Sequence, residues 1–472
     1  MDKNGAQSPH IAILPTPGMG HLIPIAELAK VLATRHGFSV TFITFSESAS
    51  PAQKAFLDAL PTTINSTRLP PVHLTDLPAD AAIETLISLA PLRSIPALRS
   101  ILADLKNTTN LVAFVADLFG GDTFDVAREL GVPPYMFFPS NLMLLSLMLH
   151  LPELDATTTC EYRDLPAPLE LPGCVPIPGA ELLHPLQDRS NESYSWMVHH
   201  ARKYREADGI LVNTFADLEP EAAKILTQRQ PDLPPIHLVG PLVQTGQPAV
   251  ENCACLSWLD EQPSGSVLFI SFGSGGTLTC EQTTELACGL EMSGQRFLWA
   301  IRSPSDSESN ASYFTATSKG DPFAYLPEGF LERTKKLGMV VPSWAPQMQV
   351  LAHSATGGFL SHCGWNSTLE SIMHGVPMIC WPLYAEQRMN AVMLSEGTKL
   401  AMRPKCREDG VCGREEISRI VKELMEGEQG KKVRGRARDL QAAAVKAIDN
   451  HGDGGASCKT LADVADNLKK IN

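Results

Sequence analysis

His21 closes the turn PTPGMGH, and an imidazole there can take a proton from a hydroxyl near neutral pH. Judged by residue type alone, a histidine that packs or caps at a helix start is the commoner case. A catalytic imidazole needs a partner that fixes its tautomer, and Asp117 in VADLFGGD ends a later apolar run from which a carboxylate could reach it. The competing role for Asp117 is a helix cap. Asp122, followed by Asp125, is the better-placed cap for the next helical pattern, which leaves Asp117 less well explained as structure.

Three glycine-containing turns could receive an anion. In PTPGMGH the glycines let backbone approach a ligand, but a dinucleotide fingerprint would continue to a third glycine. Here Gly18-Met-Gly20 runs into His21-Leu-Ile-Pro24, with Pro24 suited to a first helical turn. A nicotinamide-dependent oxidoreductase, with Glu47 as ribose acceptor, stays open as an alternative. In SFGSGG, Ser274 and its neighbouring amides could meet a phosphate, or simply form a tight turn. In GGFLSHCGWNSTLESIMHG, Ser367-Thr-Leu-Glu370 fits a capping box, while the same serine at a helix start, with His362 before it, fits a phosphate site. Spacing does not decide between the two.

The elements that must carry these residues read as α/β. An apolar strand HIAILP, the PTPGMGH turn, a helix with Ile25, Leu28, Ala29 and Leu32 on one face, and the strand SVTFITF form a βαβ unit. Parallel strands joined by helices follow at LVAFVADLF, a helix from about Asp122, PPYMFFPS, GILVNTF and IHLVGPL. Residues 1–243 form a first domain and the aperiodic stretch 244–255 a linker. A second series over 256–450 runs through SVLFISFGSGG, FLWAIR, GMVVPSWAP, GGFLSHCG and PMICWPL, with a polar surface loop over 303–321. The last segment, 451–472, is expected to pack back on the first domain. Two similar domains facing one another would put a ligand at the carboxyl ends of both sheets.

Composition narrows the function classes. The 472 residues, 44% hydrophobic and 19% charged, are those of a globular protein, and a net charge of -13 offers no basic field for nucleic acid or an anionic membrane. The 11 cysteines are irregularly spaced and read as reduced core thiols. The N-terminus lacks a signal-peptide pattern and the apolar stretch Leu142 to Leu149 is too short to span a bilayer, so a cytoplasmic protein with unmodified sequons at Asn65 and Asn191 is expected.

The segment Trp344 to Gln387, WAPQMQVLAHSATGGFLSHCGWNSTLESIMHGVPMICWPLYAEQ, resembles without a gap the signature of plant secondary-product glycosyltransferases. The likeness extends to GMGHLIP, LPGCVPI, SFGSGGTLT and AEQRMNAVMLSEG, and is strongest to the hydroquinone-type, small-phenol glucosyltransferases of plant family 1. It implies a GT-B fold of two facing Rossmann-like domains and inverting transfer from UDP-glucose without a metal. It further implies that His21 is the general base and Asp117 its orienting partner. Trp344 would stack on uracil, Gln347 and Glu370 would bind the ribose, Ser274, His362, Asn366 and Ser367 would hold the diphosphate, and Ala345 would also line the donor site. Trp365, Glu386 and Gln387 would meet the sugar, with Gln387 associated with glucose.

The acceptor would lie against Met19, Leu118, Phe119 and Leu149, with Glu84 as a polar contact, although core packing explains the apolar members equally well. Hydroquinone, monolignol-type alcohols and an indoxyl-like enol all suit such a wall. The implied partners are the acceptor and the UDP-sugar alone; the oligomeric state stays open, and a monomer is compatible with the sequence. A non-catalytic UDP-sugar-binding protein is the remaining alternative.

Overall fold

The computed structural model describes residues 7–46, 51–74, 76–78, 81–244, 253–304, 320–451 and 454–471. Glu47 lies outside the described residues, as do 245–252 of the stretch read as a linker and 305–319 of the stretch read as a loop. The chain divides into two compact units. Met1–Ala180, Pro185–Thr245 and Lys446–Asn472 form the first; Glu181–His184 and Gly246–Val445 form the second.

In the first unit β1 (Pro9–Leu14), β2 (Ser39–Phe45), β3 (Ile64–Leu69), β4 (Asn110–Asp117), β5 (Pro134–Phe138), β6 (Gly209–Val212) and β7 (Ile236–Leu238) make one sheet, ordered β3-β2-β1-β4-β5-β6-β7. Every pairing is parallel. Such sheets are covered on both faces, so their strands read as continuous apolar runs: β1 buries all but its first residue and β6 is wholly buried. The edge strand β3, INSTRL, escapes that reading because only its end residues are buried. Strand order reverses between β1 and β4, and loops leaving two such strands diverge to open a crevice at their carboxyl ends.

The helix Met19–His36 leaves β1 through Gly18, whose φ of 118° favours glycine. It begins earlier than the proline pattern suggests, so Pro24 lies inside the helix instead of in its first turn. Ile25, Leu28, Ala29 and Leu32 are buried as their spacing predicts, and Gly37 ends the helix at φ 73°. Asp122 does not cap. It lies in the turn Gly121–Thr123, the helix Phe124–Glu129 starts without a side-chain cap, and the Asp122 carboxylate accepts from His199 Nε2 at 2.8 Å.

The helix Leu142–Thr157 is instead held twice at its start. Asn141 Oδ1 accepts from Leu144 N at 2.8 Å, and the buried Glu219 carboxylate accepts from Leu142 N and Met143 N at 3.0 and 2.9 Å. Burial raises the Glu219 carboxyl to about 7, against the opposing effect of those amides. No single helix among the described residues is long and apolar enough to cross a membrane.

The second unit holds β8 (Val267–Ser271), β9 (Arg296–Ile301), β10 (Gly338–Pro342), β11 (Thr356–Ser361), β12 (Met378–Cys380) and β13 (Ala401–Met402), ordered β10-β9-β8-β11-β12-β13 and again parallel throughout. Its reversal falls between β8 and β11. The helix Ala254–Asp260 starts within the stretch read as a linker. Cys406 and Cys412 are joined in a disulfide, which corrects the expectation that every cysteine is a reduced core thiol. The intervening chain turns back through Gly410 at φ 84°, with Arg407 N donating to Val411 O, and this brings the two sulfurs together.

The final helix, Ala456–Lys469, buries Leu461, Val464, Ala465 and Leu468 in the first unit's core with Ala33 and Phe38. That spacing puts them on one helix face. Replacing Leu461 by alanine removes a nearly fully buried side chain, so Leu461→Ala is expected to lower unfolding free energy by about 2–5 kcal/mol. A urea titration that left the midpoint in place would show that the helix adds nothing to this core.

Candidate active site

Asp117 is the last residue of β4 and is wholly buried, so each of its carboxylate lone pairs needs a donor. Three are supplied. Thr16 Oγ donates to Oδ1 at 2.5 Å, the Phe119 amide donates to the same oxygen at 3.3 Å, and His21 Nδ1 donates to Oδ2 at 2.6 Å. His21 is the third residue of its helix, with a side chain 14% exposed. The carboxylate fixes the proton on Nδ1 and leaves Nε2 as the basic nitrogen. Sequence reasoning paired His21 with Asp117 but passed over Thr16, which stands between two prolines of the turn.

Around this pair, Phe119 packs edge-on to His21 with ring centroids 6.0 Å apart. Met19, Glu84 and Leu118 are partly buried in the same unit, whereas Leu149 is in its core at 1% exposure.

In the second unit the loops that leave β8 and β11, the strands between which the order reverses, carry Ser274 and His362. His362, just past β11, presents an imidazole that a Cβ on Gly273 or Gly364 would strike, at 2.6 and 2.4 Å. Both loops must therefore carry glycine there. His362 Nδ1 is buried without a partner among the described residues, and burial lowers the ring to about 4, so it is neutral in ordinary buffers.

The capping box expected of Ser367 and Glu370 is absent. The helix Trp365–Met373 starts earlier, with Gly364 as N-cap and no side-chain cap, so Ser367 is its third residue. Its hydroxyl accepts instead from Gln347 Nε2 at 2.9 Å, and the same amide donates to Glu370 Oε2 at 2.6 Å. Burial raises Glu370 to about 7, with the Gln347 bond opposing it. Ser274, past β8, is exposed, and its carbonyl accepts from the Arg302 guanidinium, a contact the sequence reading did not pick out.

Trp344 is 62% exposed, a rare state for so large an apolar ring, while Ala345 and Trp365 are buried and Asn366 and Glu386 partly so. Gln387 is buried at the start of its helix, and its Oε1 accepts from the Leu383 and Tyr384 amides at 2.9 and 3.1 Å. Asn390, also unremarked in the sequence, donates to Cys363 O at 2.8 Å. Four non-glycine residues among those described have positive φ, and three of them adjoin these positions: Ser343 before Trp344, Cys363 after His362, and Ala385 before Glu386. Such conformations cost on the order of 1–3 kcal/mol and concentrate at binding sites. No cluster of His, Cys, Asp and Glu among the described residues has a metal-holding arrangement.

The family described as UDP-glucoronosyl and UDP-glucosyl transferase matches residues 228–432. The chain is 56% identical over 460 residues to the hydroquinone glucosyltransferase of Rauvolfia serpentina, covering 97% of each. Among solved structures it is similar to Phytolacca americana UGT2 complexed with UDP-2fluoro-glucose and pterostilbene, at 48% identity and a TM-score of 0.90, covering 98% of this chain and 100% of that one. It is similar also to a Polygonum tinctorium UDP-glucosyltransferase capable of glucosylating indoxyl, in complex with 3,4-dichloroaniline, at 47% identity and a TM-score of 0.92, covering 99% and 100%. Two parallel sheets, each with one reversal of strand order, and these likenesses make the fold GT-B; the chain belongs to the UDP-glucoronosyl and UDP-glucosyl transferase family.

Proposed function

We propose that this enzyme transfers glucose from UDP-glucose to the hydroxyl of a small phenolic or indoxyl-like acceptor, with inversion at the anomeric carbon, to give a β-O-glucoside. The His21–Asp117 bond of 2.6 Å carries the proposal, because it places the ring proton on Nδ1 and makes Nε2 the basic nitrogen. As the acceptor oxygen bonds to the anomeric carbon, Nε2 takes that proton and the bond from carbon to the diphosphate breaks. Asp117 balances the charge on the imidazolium. A base so placed contributes about 10² to 10⁴ in rate.

The leaving UDP gains negative charge in the same step. His362, the serine hydroxyls of Ser274 and Ser367, Asn366 and the first amides of the Trp365–Met373 helix would receive it, and donors of this kind let a diphosphate depart without a metal. Trp344 would stack on uracil beside Ala345, Gln347 and Glu370 would bind ribose, and Trp365, Glu386 and Gln387 the glucose. The Gln387 side chain is fixed by its carbonyl, which is bound to the backbone of 383 and 384. The acceptor would contact Met19, Glu84, Leu118 and Phe119, with Leu149 behind them.

Support for the acceptor class comes from the relatives' own acceptors, hydroquinone and indoxyl, both small aromatic hydroxyl compounds, and for the donor from the UDP-2fluoro-glucose complex. Nine free cysteines among the described residues fit a reducing compartment, and we place the enzyme in the cytoplasm. A panel of UDP-sugars against phenols, with products read by mass spectrometry, tests the whole: absence of any UDP-glucose-derived glucoside refutes it.

Three narrower outcomes are expected. His21→Ala should lower kcat on the order of 10²-fold or more while calorimetric UDP-glucose affinity stays near wild type, and Asp117→Asn should behave alike. Normal turnover, or a loss confined to donor binding, contradicts the base assignment. Trp344→Ala should raise the donor KM with a smaller effect on kcat, since stacking worth roughly 1–3 kcal/mol serves ground and transition states equally. An unchanged KM would move uracil elsewhere. Turnover should also survive EDTA, and a loss restored by Mg²⁺ or Mn²⁺ would replace the proposed diphosphate contacts with a metal.

A further inference from the structure

One buried histidine in the first unit has no part in the chemistry above. His200, in the helix Glu192–Lys203, is wholly buried, and its Nε2 lies 2.7 Å from Ser88 Oγ of the helix Ile83–Arg93. The direction of that bond is fixed by the serine. Ser88 Oγ is also 2.6 Å from the Glu84 carbonyl oxygen, and two oxygens so close need a proton between them. The hydroxyl has only one, and a carbonyl cannot supply it. Ser88 therefore donates to Glu84 O and accepts from His200, so the His200 proton is on Nε2 and Nδ1 is a bare lone pair.

That lone pair has no hydrogen-bond partner among the described residues. Burial lowers the His200 ring to about 3, so protonation does not relieve the deficit at working pH. A buried acceptor left unmade is costly, and a ligand or a water carrying a proton would recover that cost. Position points to a ligand. Phe119 packs edge-on to His200 at 5.2 Å between centroids and edge-on to His21 at 6.0 Å, so one phenyl ring flanks both imidazoles. Trp196 stacks on His200 at 5.8 Å and holds the ring's orientation.

Resting on the acceptor reading above, we propose that His200 is a specificity-determining residue whose Nδ1 accepts a hydrogen bond from a second O–H or N–H group of the aromatic acceptor, remote from the oxygen that is glucosylated. Ser88 is its positioning residue, because it sets which nitrogen is bare. The favoured substrate class is then an aromatic diol or aminophenol, and a monohydroxy ring whose far end can only accept hydrogen bonds is disfavoured.

Hydroquinone and 4-methoxyphenol separate the two, since both offer a hydroxyl para to an oxygen but only the first has a proton on that oxygen. In the wild type, kcat/KM for hydroquinone should exceed that for 4-methoxyphenol by about ten-fold. His200→Leu should bring the ratio near one. His200→Asn, whose Oδ1 can stand close to the place of Nδ1, should keep most of it. Ser88→Ala, which releases the tautomer, should lower it and serves in place of His200→Leu should the latter not fold. A ratio near one in the wild type, an unaltered ratio in His200→Leu or Ser88→Ala, or equal loss in His200→Leu and His200→Asn overturns the proposal. Failure of wild type to glucosylate either phenol refutes the acceptor reading itself, and this proposal with it.

Discussion

The first unit depends on one buried carboxylate. Asp117 is wholly inaccessible, and an anion in that state is tolerable only when donors are fixed around it. Those donors come from three places: Thr16 in the turn after β1, His21 in the helix after that turn, and the Phe119 amide in the turn after β4. They converge because β1 and β4 are parallel neighbours, with Leu14 beside Ala116, at the point where strand order reverses. Gly18 at φ 118° lets the chain leave β1 sharply enough to send Thr16 and His21 to the same carboxylate. Fold, turn and tautomer are thus consequences of a single requirement, and the basic Nε2 is its by-product.

The second unit meets a comparable requirement with a neutral ring. His362 is held between the Gly273 and Gly364 loops, at the reversal between β8 and β11, and its burial keeps it uncharged. In the function proposed above, a neutral imidazole would donate to the diphosphate without carrying the desolvation penalty of a resident cation. The backbone nearby is bent to match. Positive φ at Ser343, Cys363 and Ala385 is strain that the surrounding packing must overcome, and Asn390, through its bond to Cys363 O, is one of the groups that does so.

What the sequence disclosed followed from periodicity and short spacing. Parallel strands read as apolar runs, and eleven of those among the described residues need no more than that, but β3 is an edge strand with an exposed middle and the two-residue β13 is too short to give a run. Helix starts were harder. The pattern at Pro24 and the box Ser367 to Glu370 both suggested later starts than Met19 and Trp365, because neither helix has a side-chain cap to mark its first residue. The Ser367 hydroxyl is engaged by Gln347 from another helix, a long-range contact invisible to local rules. The Cys406–Cys412 bond escaped notice for the opposite reason: its spacing is short, but only the turn through Gly410 shows that the sulfurs meet. Candidate residues tied to motif were legible; those tied to a partner's proton, Thr16 and His200, were not.

Proton placement is also what joins the two histidines beside Phe119. His21 is protonated on Nδ1 because Asp117 accepts there, which bares Nε2; His200 is protonated on Nε2 because Ser88 accepts there, which bares Nδ1. Opposite tautomers are thus fixed by oxygens of different kinds, a carboxylate and a hydroxyl, and the kind matters. A carboxylate stabilises the cation that forms when the bare nitrogen takes a proton, whereas a hydroxyl offers no such charge. His200 is further kept neutral by its burial. Of two imidazoles flanking one phenyl ring, only the one backed by Asp117 is equipped to become a base, and the other can do no more than accept a hydrogen bond.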